Sequence, residues 1–177
     1  MRVVILLAAV PVLGLGQTRL DPAIQTTVCD VLKAPELFNG KIVTLRGEIQ
    51  IDFERFNLQA QDCAGQKADD ALWLEYGRGP KRQPTIWCCG DMVPRDGLAM
   101  LQDTEFRQFH RYLTARKDPH KYYDYLYRVT ATLTGRFDSR EPQDRGCFGF
   151  GFGHFGASCA RLVIQRVSNV VAVPAAP

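Results

Sequence analysis

No uninterrupted apolar run in the 177-residue chain approaches the ~18 residues of a membrane-spanning helix. Histidine is scarce, at three residues, and there is no G-x-S-x-G, H-E-x-x-H or glycine loop leading into Lys-Ser/Thr and a helix. These absences remove the recognisable acid–base and phosphate-binding constellations. The expectation is a chain that is not an enzyme and carries no cofactor and no metal. The formal net charge is only +3, too weak by itself to imply a nucleic-acid partner.

What the chain does hold is six cysteines, at 29, 63, 88, 89, 147 and 159. All lie downstream of a segment that reads as a cleavable export signal: Arg2, an apolar run over 3–15, and the small residues Gly14 and Gly16. Cleavage after Gly16 takes 16 of the 177 residues, leaves 161 and lowers the charge from +3 to +2 by removing Arg2. The expectation is an exported protein, periplasmic or extracellular, with no membrane span after cleavage. An even cysteine count behind such a signal indicates a disulfide framework.

The hydrophobic period assigns the elements. Thr26 or Thr27 caps a short helix carrying Val28, Val31 and Leu32 inward, and Pro35 opens another turn that Asn39-Gly40 ends. Over 41–51, Val43, Leu45, Gly47, Ile49 and Ile51 alternate with polar residues, giving a half-buried strand. Further strands are read at 53–60, 72–76, 127–137 and 160–171. A helix capped near Asp103 or Thr104 carries Phe106, Phe109, His110 and Leu113 on one face. Residues 77–98 read as an insertion rich in Gly and Pro, and 172–177 as a frayed tail.

Five strands with a helix between the third and fourth is the layout of an OB-fold-like, five-stranded Greek-key barrel, here mainly β with an added N-terminal helix over 17–171. Gly47 and Gly135 fall mid-strand on the inward face, where a small barrel must coil its strands sharply. An unspecified mixed α+β sheet is the alternative.

The segments Cys29-Asp30-Val31-Leu32, Asn39-Gly40-Lys41-Ile42-Val43-Thr44-Leu45-Arg46-Gly47, Thr132-Leu133-Thr134-Gly135-Arg136-Phe137 and Gly153-His154-Phe155-Gly156 resemble a group of uncharacterised exported bacterial proteins. The likeness spans most of the chain after the signal and implies an OB-fold-like domain. It brings no activity with it.

Cys29 with Cys63 is the preferred bridge, clamping the first helix to the barrel. Cys88 and Cys89 are expected to bridge to Cys147 and Cys159, stapling the insertion to a Gly-Phe loop, although six cysteines allow 15 connectivities. A zinc site from those four thiols and His154 is the rival, but adjacent cysteines do not follow the usual ligand spacing. The Gly-Phe stretch, 146–156, would if extended place Phe148, Phe150, Phe152 and His154 on one face. Aromatic rings there can stack on sugars, bases or peptide, or simply pack on the barrel.

A second candidate is a basic-aromatic surface of Arg46, Arg55, Arg128, Arg136, Arg78, Lys81 and Arg82 with Tyr122, Tyr123, Tyr125 and Tyr127. The plainer reading is a solvated face balanced by Glu48, Glu54 and Glu75. Contact with a ligand is expected at the outer face of strands two and three, with Arg55 and Trp73, plus the Gly-Phe loop. The expected ligand is an envelope glycan, cell-wall component or peptide, with nucleic acid disfavoured outside the cell. The alternatives are a structural or interaction module, or a small hydrolase or redox protein using Cys88-Cys89 or a Cys89–His154 pair.

Overall fold

The computed structural model describes residues 22–52, 54–59, 63, 71–77, 98–118, 120–121, 124–144 and 146–175. The expected signal segment, the body of the insertion with Arg78, Lys81, Arg82, Cys88 and Cys89, and Tyr122 and Tyr123 lie outside the described residues. The elements are β1 (Ile24–Gln25), α1 (Val28–Lys33), α2 (Pro35–Phe38), β2 (Ile42–Ile51), β3 (Phe56–Gln59), β4 (Ala71–Tyr76), α3 (Thr104–Thr114), β5 (Tyr127–Ser139) and β6 (Ala160–Pro174).

Strands β2 to β6 close into a five-stranded barrel in the order β2-β3-β4-β6-β5, with β5 returning to β2. Every pairing within the ring is antiparallel except β4 with β6, where Trp73 lies opposite Arg161. This is the OB-fold-like arrangement expected from the strand count. The short strand β1 adds to β2 in parallel, which the sequence pattern did not indicate.

The closure depends on β2, which serves two neighbours. Residues Ile42 to Ile49 pair with β5, and Ile49 to Ile51 pair with β3. Gly47 stands just before that handover. A Cβ on it would lie 2.9 Å from both the Gln59 carbonyl oxygen and a Leu58 methyl, so only glycine lets the strand coil there. Gly135 stands where the β5–β6 register shifts, and a Cβ on it would run into the backbone of Val163.

The alternating residues fill the interior as read: Val43, Leu45, Ile49, Phe56, Leu58, Leu133 and Phe137 are all buried. Helix α3 begins at Asp103, whose side chain accepts from the Phe106 amide at 2.9 Å, and packs Phe106, Phe109 and Leu113 against the barrel. Helix α1 is capped by Thr27, which accepts from the Asp30 amide at 3.1 Å. The Cys29–Cys63 disulfide ties α1 to the segment after β3.

Strand β6 runs to Pro174 rather than fraying after Val171. Ala172, Val173 and Pro174 pair with Val129, Arg128 and Tyr127, because β5 begins early enough to supply partners. Among the described residues, no helix is long and apolar enough to cross a membrane.

His110 occupies the partly wet edge of the α3 interface, with the rings of Tyr76 and Phe106 beside it at 6.2 and 5.9 Å. Its Nδ1 is buried with no hydrogen-bond partner among the described residues. Burial lowers its pKa from the ordinary 6.5, so the folded state resists the proton that the unfolded chain accepts. Stability is therefore full above the unfolded value and falls as pH drops through it toward the lowered folded value. His110→Phe is expected to flatten the decline in melting temperature between neutral and mildly acid pH. An unchanged decline would show that His110 does not contribute to it.

Candidate functional site

A cleft of about 260 Å³ opens on the outer face of the barrel. It is lined from the β2–β3 turn by Glu54 and Arg55, from β3 by Asn57, and from β4 by Ala71 and Trp73. Phe152, His154, Ala157 and Ser158 complete it from the β5–β6 loop. Four of the six ligand residues expected from sequence, Arg55, Trp73, Phe152 and His154, thus meet at one site.

Local chemistry places each contributor. In the β2–β3 turn, Asp52 Oδ1 accepts from the amides of Glu54 and Arg55 at 2.9 and 2.8 Å, and Oδ2 accepts from Arg55 Nε at 2.6 Å. The turn residue therefore fixes the arginine at the cleft rim. Asn57 lies between the inward Phe56 and Leu58, so strand alternation points it outward, directly opposite Trp73.

The Gly-Phe loop does not extend. Gly146, Gly149, Gly153 and Gly156 all have positive φ, and the chain folds back through Gly151 N–H to the Cys147 carbonyl at 2.7 Å and Gly149 N–H to the Phe155 carbonyl at 2.8 Å. This corrects the expectation of one aromatic face. Phe152 is buried, Phe150 is half-buried outside the cleft lining, and Phe148 projects into solvent at 64% exposure. Phe155, which the sequence reading passed over, is 65% exposed, with its ring 6.1 Å from that of Phe148.

The disulfide pattern is also corrected here. Cys147 bonds Cys159, not a cysteine of the insertion. The reason is the register of β5 and β6: Ser139 pairs with Ala160 and Arg140 N–H bonds the Cys159 carbonyl, which draws the loop ends together.

So closed, the loop lies on β4. A Cβ at Gly153 would collide with the Trp73 indole, and this close approach leaves the outward-pointing Trp73 only 6% exposed. Phe152 is held between two cations, with Arg161 4.5 Å and Arg140 4.9 Å from its ring centre. Beneath it, buried Arg161 donates to Glu75 Oε2 at 3.2 Å and to Asp138 Oδ2 at 2.9 Å, and Arg136 binds the same Asp138. His154 Nε2 stands 3.7 Å from Glu54 Oε1, and its ring meets Phe155 edge-on.

Several strand arginines are matched within the protein. Arg128 pairs with Glu48 at 2.6 Å, which raises the guanidinium pKa, and Arg46 donates to Thr132 Oγ1 and the Asn169 carbonyl, both at 3.2 Å. These contacts favour the self-paired face over a free cationic surface. Ser158 Oγ donates to the Ala160 carbonyl at 2.8 Å. Among the described residues, no group of three or more His, Cys, Asp or Glu is arranged to hold a metal ion.

Glu54, Asn57, Ala71, Ala157 and Ser158 were not anticipated as site residues. The outward position of Asn57 between two core residues was the one readable signal. Comparison with protein-family models, curated proteins and solved structures gave no match, so the reading of this cleft rests on its own geometry.

Proposed function

We propose that the chain is an exported, disulfide-stabilised module that binds rather than catalyses, taking an envelope glycan, cell-wall fragment or peptide in this cleft. The observation that carries the reading is convergence: one turn, two strands and the β5–β6 loop bring Arg55, Asn57, Trp73, Phe152 and His154 to one concave site. That face and those loops are the usual ligand surface of an OB-fold barrel. Two disulfides support an oxidising compartment.

The sequence holds two tryptophans, so Trp87→Phe leaves Trp73 as the sole indole reporter. Titrating this variant with the disaccharide of N-acetylglucosamine and with tetra-alanine is expected to change Trp73 emission saturably for at least one probe. No saturable change with either would overturn the reading.

The exposed Phe148–Phe155 pair supports a second reading, a protein-interaction module. Concentration-dependent association lost in Phe148→Ser/Phe155→Ser would favour it.

A further inference from the structure

A second cleft, about 390 Å³, lies beside the first. Its lining includes Gln50 and Gln59 from β2 and β3, Tyr125 and Tyr127 from the approach to β5, and Arg128. The register shows how the two clefts relate. Gln50 is directly opposite Asn57, and Gln59 is directly opposite Ala71, so residues of the second cleft face residues of the first across single strand pairings. Residues directly opposite share one face of a sheet. One row on this face therefore runs Gln50, Asn57, Trp73 across β2, β3 and β4, Trp73 lying beneath the loop, with Gln59 Nε2 donating to Gln50 Oε1 at 2.8 Å.

Building on the cleft reading above, we propose that the two clefts are halves of one groove that crosses the strands and holds an uncharged oligosaccharide chain. The charge pattern selects this ligand. The described lining of the first cleft carries one carboxylate and one guanidinium, Glu54 and Arg55, beside His154, and that of the second two acids and two cations: Glu48 and Asp124, Lys117 and Arg128. Arg55 and Arg128 are already bound to Asp52 and Glu48, so neither half offers the excess positive field that a polyanion needs. What the floor presents instead is side-chain amides, which both donate to and accept from hydroxyls, bounded by the β5–β6 loop over Trp73 at one end and by Tyr125 and Tyr127 at the other. Strands spaced about 4.8 Å apart offer such a group at close to the repeat of a sugar ring.

The test is a titration of the folded chain with N-acetylglucosamine oligomers of two to six units, read by calorimetry. Affinity should rise by about tenfold or more from two to four units, as the second half of the groove fills, and then level off. It should not depend on salt. Gln50→Ala/Gln59→Ala should remove the gain with length while the disaccharide binds as before. Gln59→Thr, with its high strand propensity, repeats the test without weakening β3.

Affinity independent of length, with the disaccharide still bound, would overturn the groove and leave the cleft reading standing. Binding of tetra-alanine but no saccharide, or salt-sensitive binding of heparin fragments alone, would overturn the ligand class. Failure of every probe to reach Trp73 would overturn the cleft itself.

Discussion

Arg161→Met is expected to destabilise the fold by about 3–5 kcal/mol, because it removes the cation from a buried ion pair. Arg161 is 2% exposed and Glu75 4% exposed, so water cannot replace the lost contact. Asp138 keeps Arg136, but Glu75 loses the 3.2 Å ion pair that accompanies its burial. The Phe152 ring loses the guanidinium 4.5 Å from its centre as well. Glu75→Gln in the same chain should recover part of the loss, since the amide removes the buried carboxylate charge that Arg161 offsets while keeping the shape. Urea unfolding of the two single variants and the double variant measures that coupling. Additive effects would mean that Arg161 and Glu75 do not act as a pair.

The second large effect belongs to the loop. Cys147→Ser/Cys159→Ser is expected to cost about 3 kcal/mol, the value for closing a loop of this length in the unfolded chain. The spatial consequence matters more for function. Gly153 covers Trp73 because the loop ends are tied, so releasing them should expose the indole. In the Trp87→Phe background, native-state emission should shift to the red and the response to the disaccharide should weaken. Unshifted emission would show that the hydrogen bonds of the loop, such as Phe152 N–H to the Ser158 carbonyl at 2.7 Å, hold it without the bridge.

Strand alternation made most of the barrel readable in advance. Val43, Leu45 and Ile49 reported their burial through spacing alone, and Gly47 and Gly135 reported the tight coiling. The Cys29–Cys63 pairing was also legible, because one cysteine lies in a helix that needs fastening and the other just past a strand.

What escaped had a physical cause in each case. A glycine's φ sign is not written in the sequence, so the Gly-Phe stretch read as extended when four of its glycines turn it back. The Cys147–Cys159 bond follows from β5–β6 register, which spacing does not reveal. Strand β4 is buried on both faces: the loop covers outward-pointing Trp73, and outward-pointing Glu75 is hidden with its ion-pair partner Arg161. Asn57 and Gln59 gain their significance only from their cross-strand partners, which no local pattern supplies.

The most direct measurement is a ¹H–¹⁵N chemical-shift titration of the folded protein with the tetrasaccharide of N-acetylglucosamine. The groove predicts the largest shifts at the Trp73 indole N–H, the Asn57 and Gln59 side-chain amides and the amides of 152–158, with Tyr125 and Tyr127 following. Shifts confined to α3 and the N-terminal helices, or no shifts at all, would contradict it.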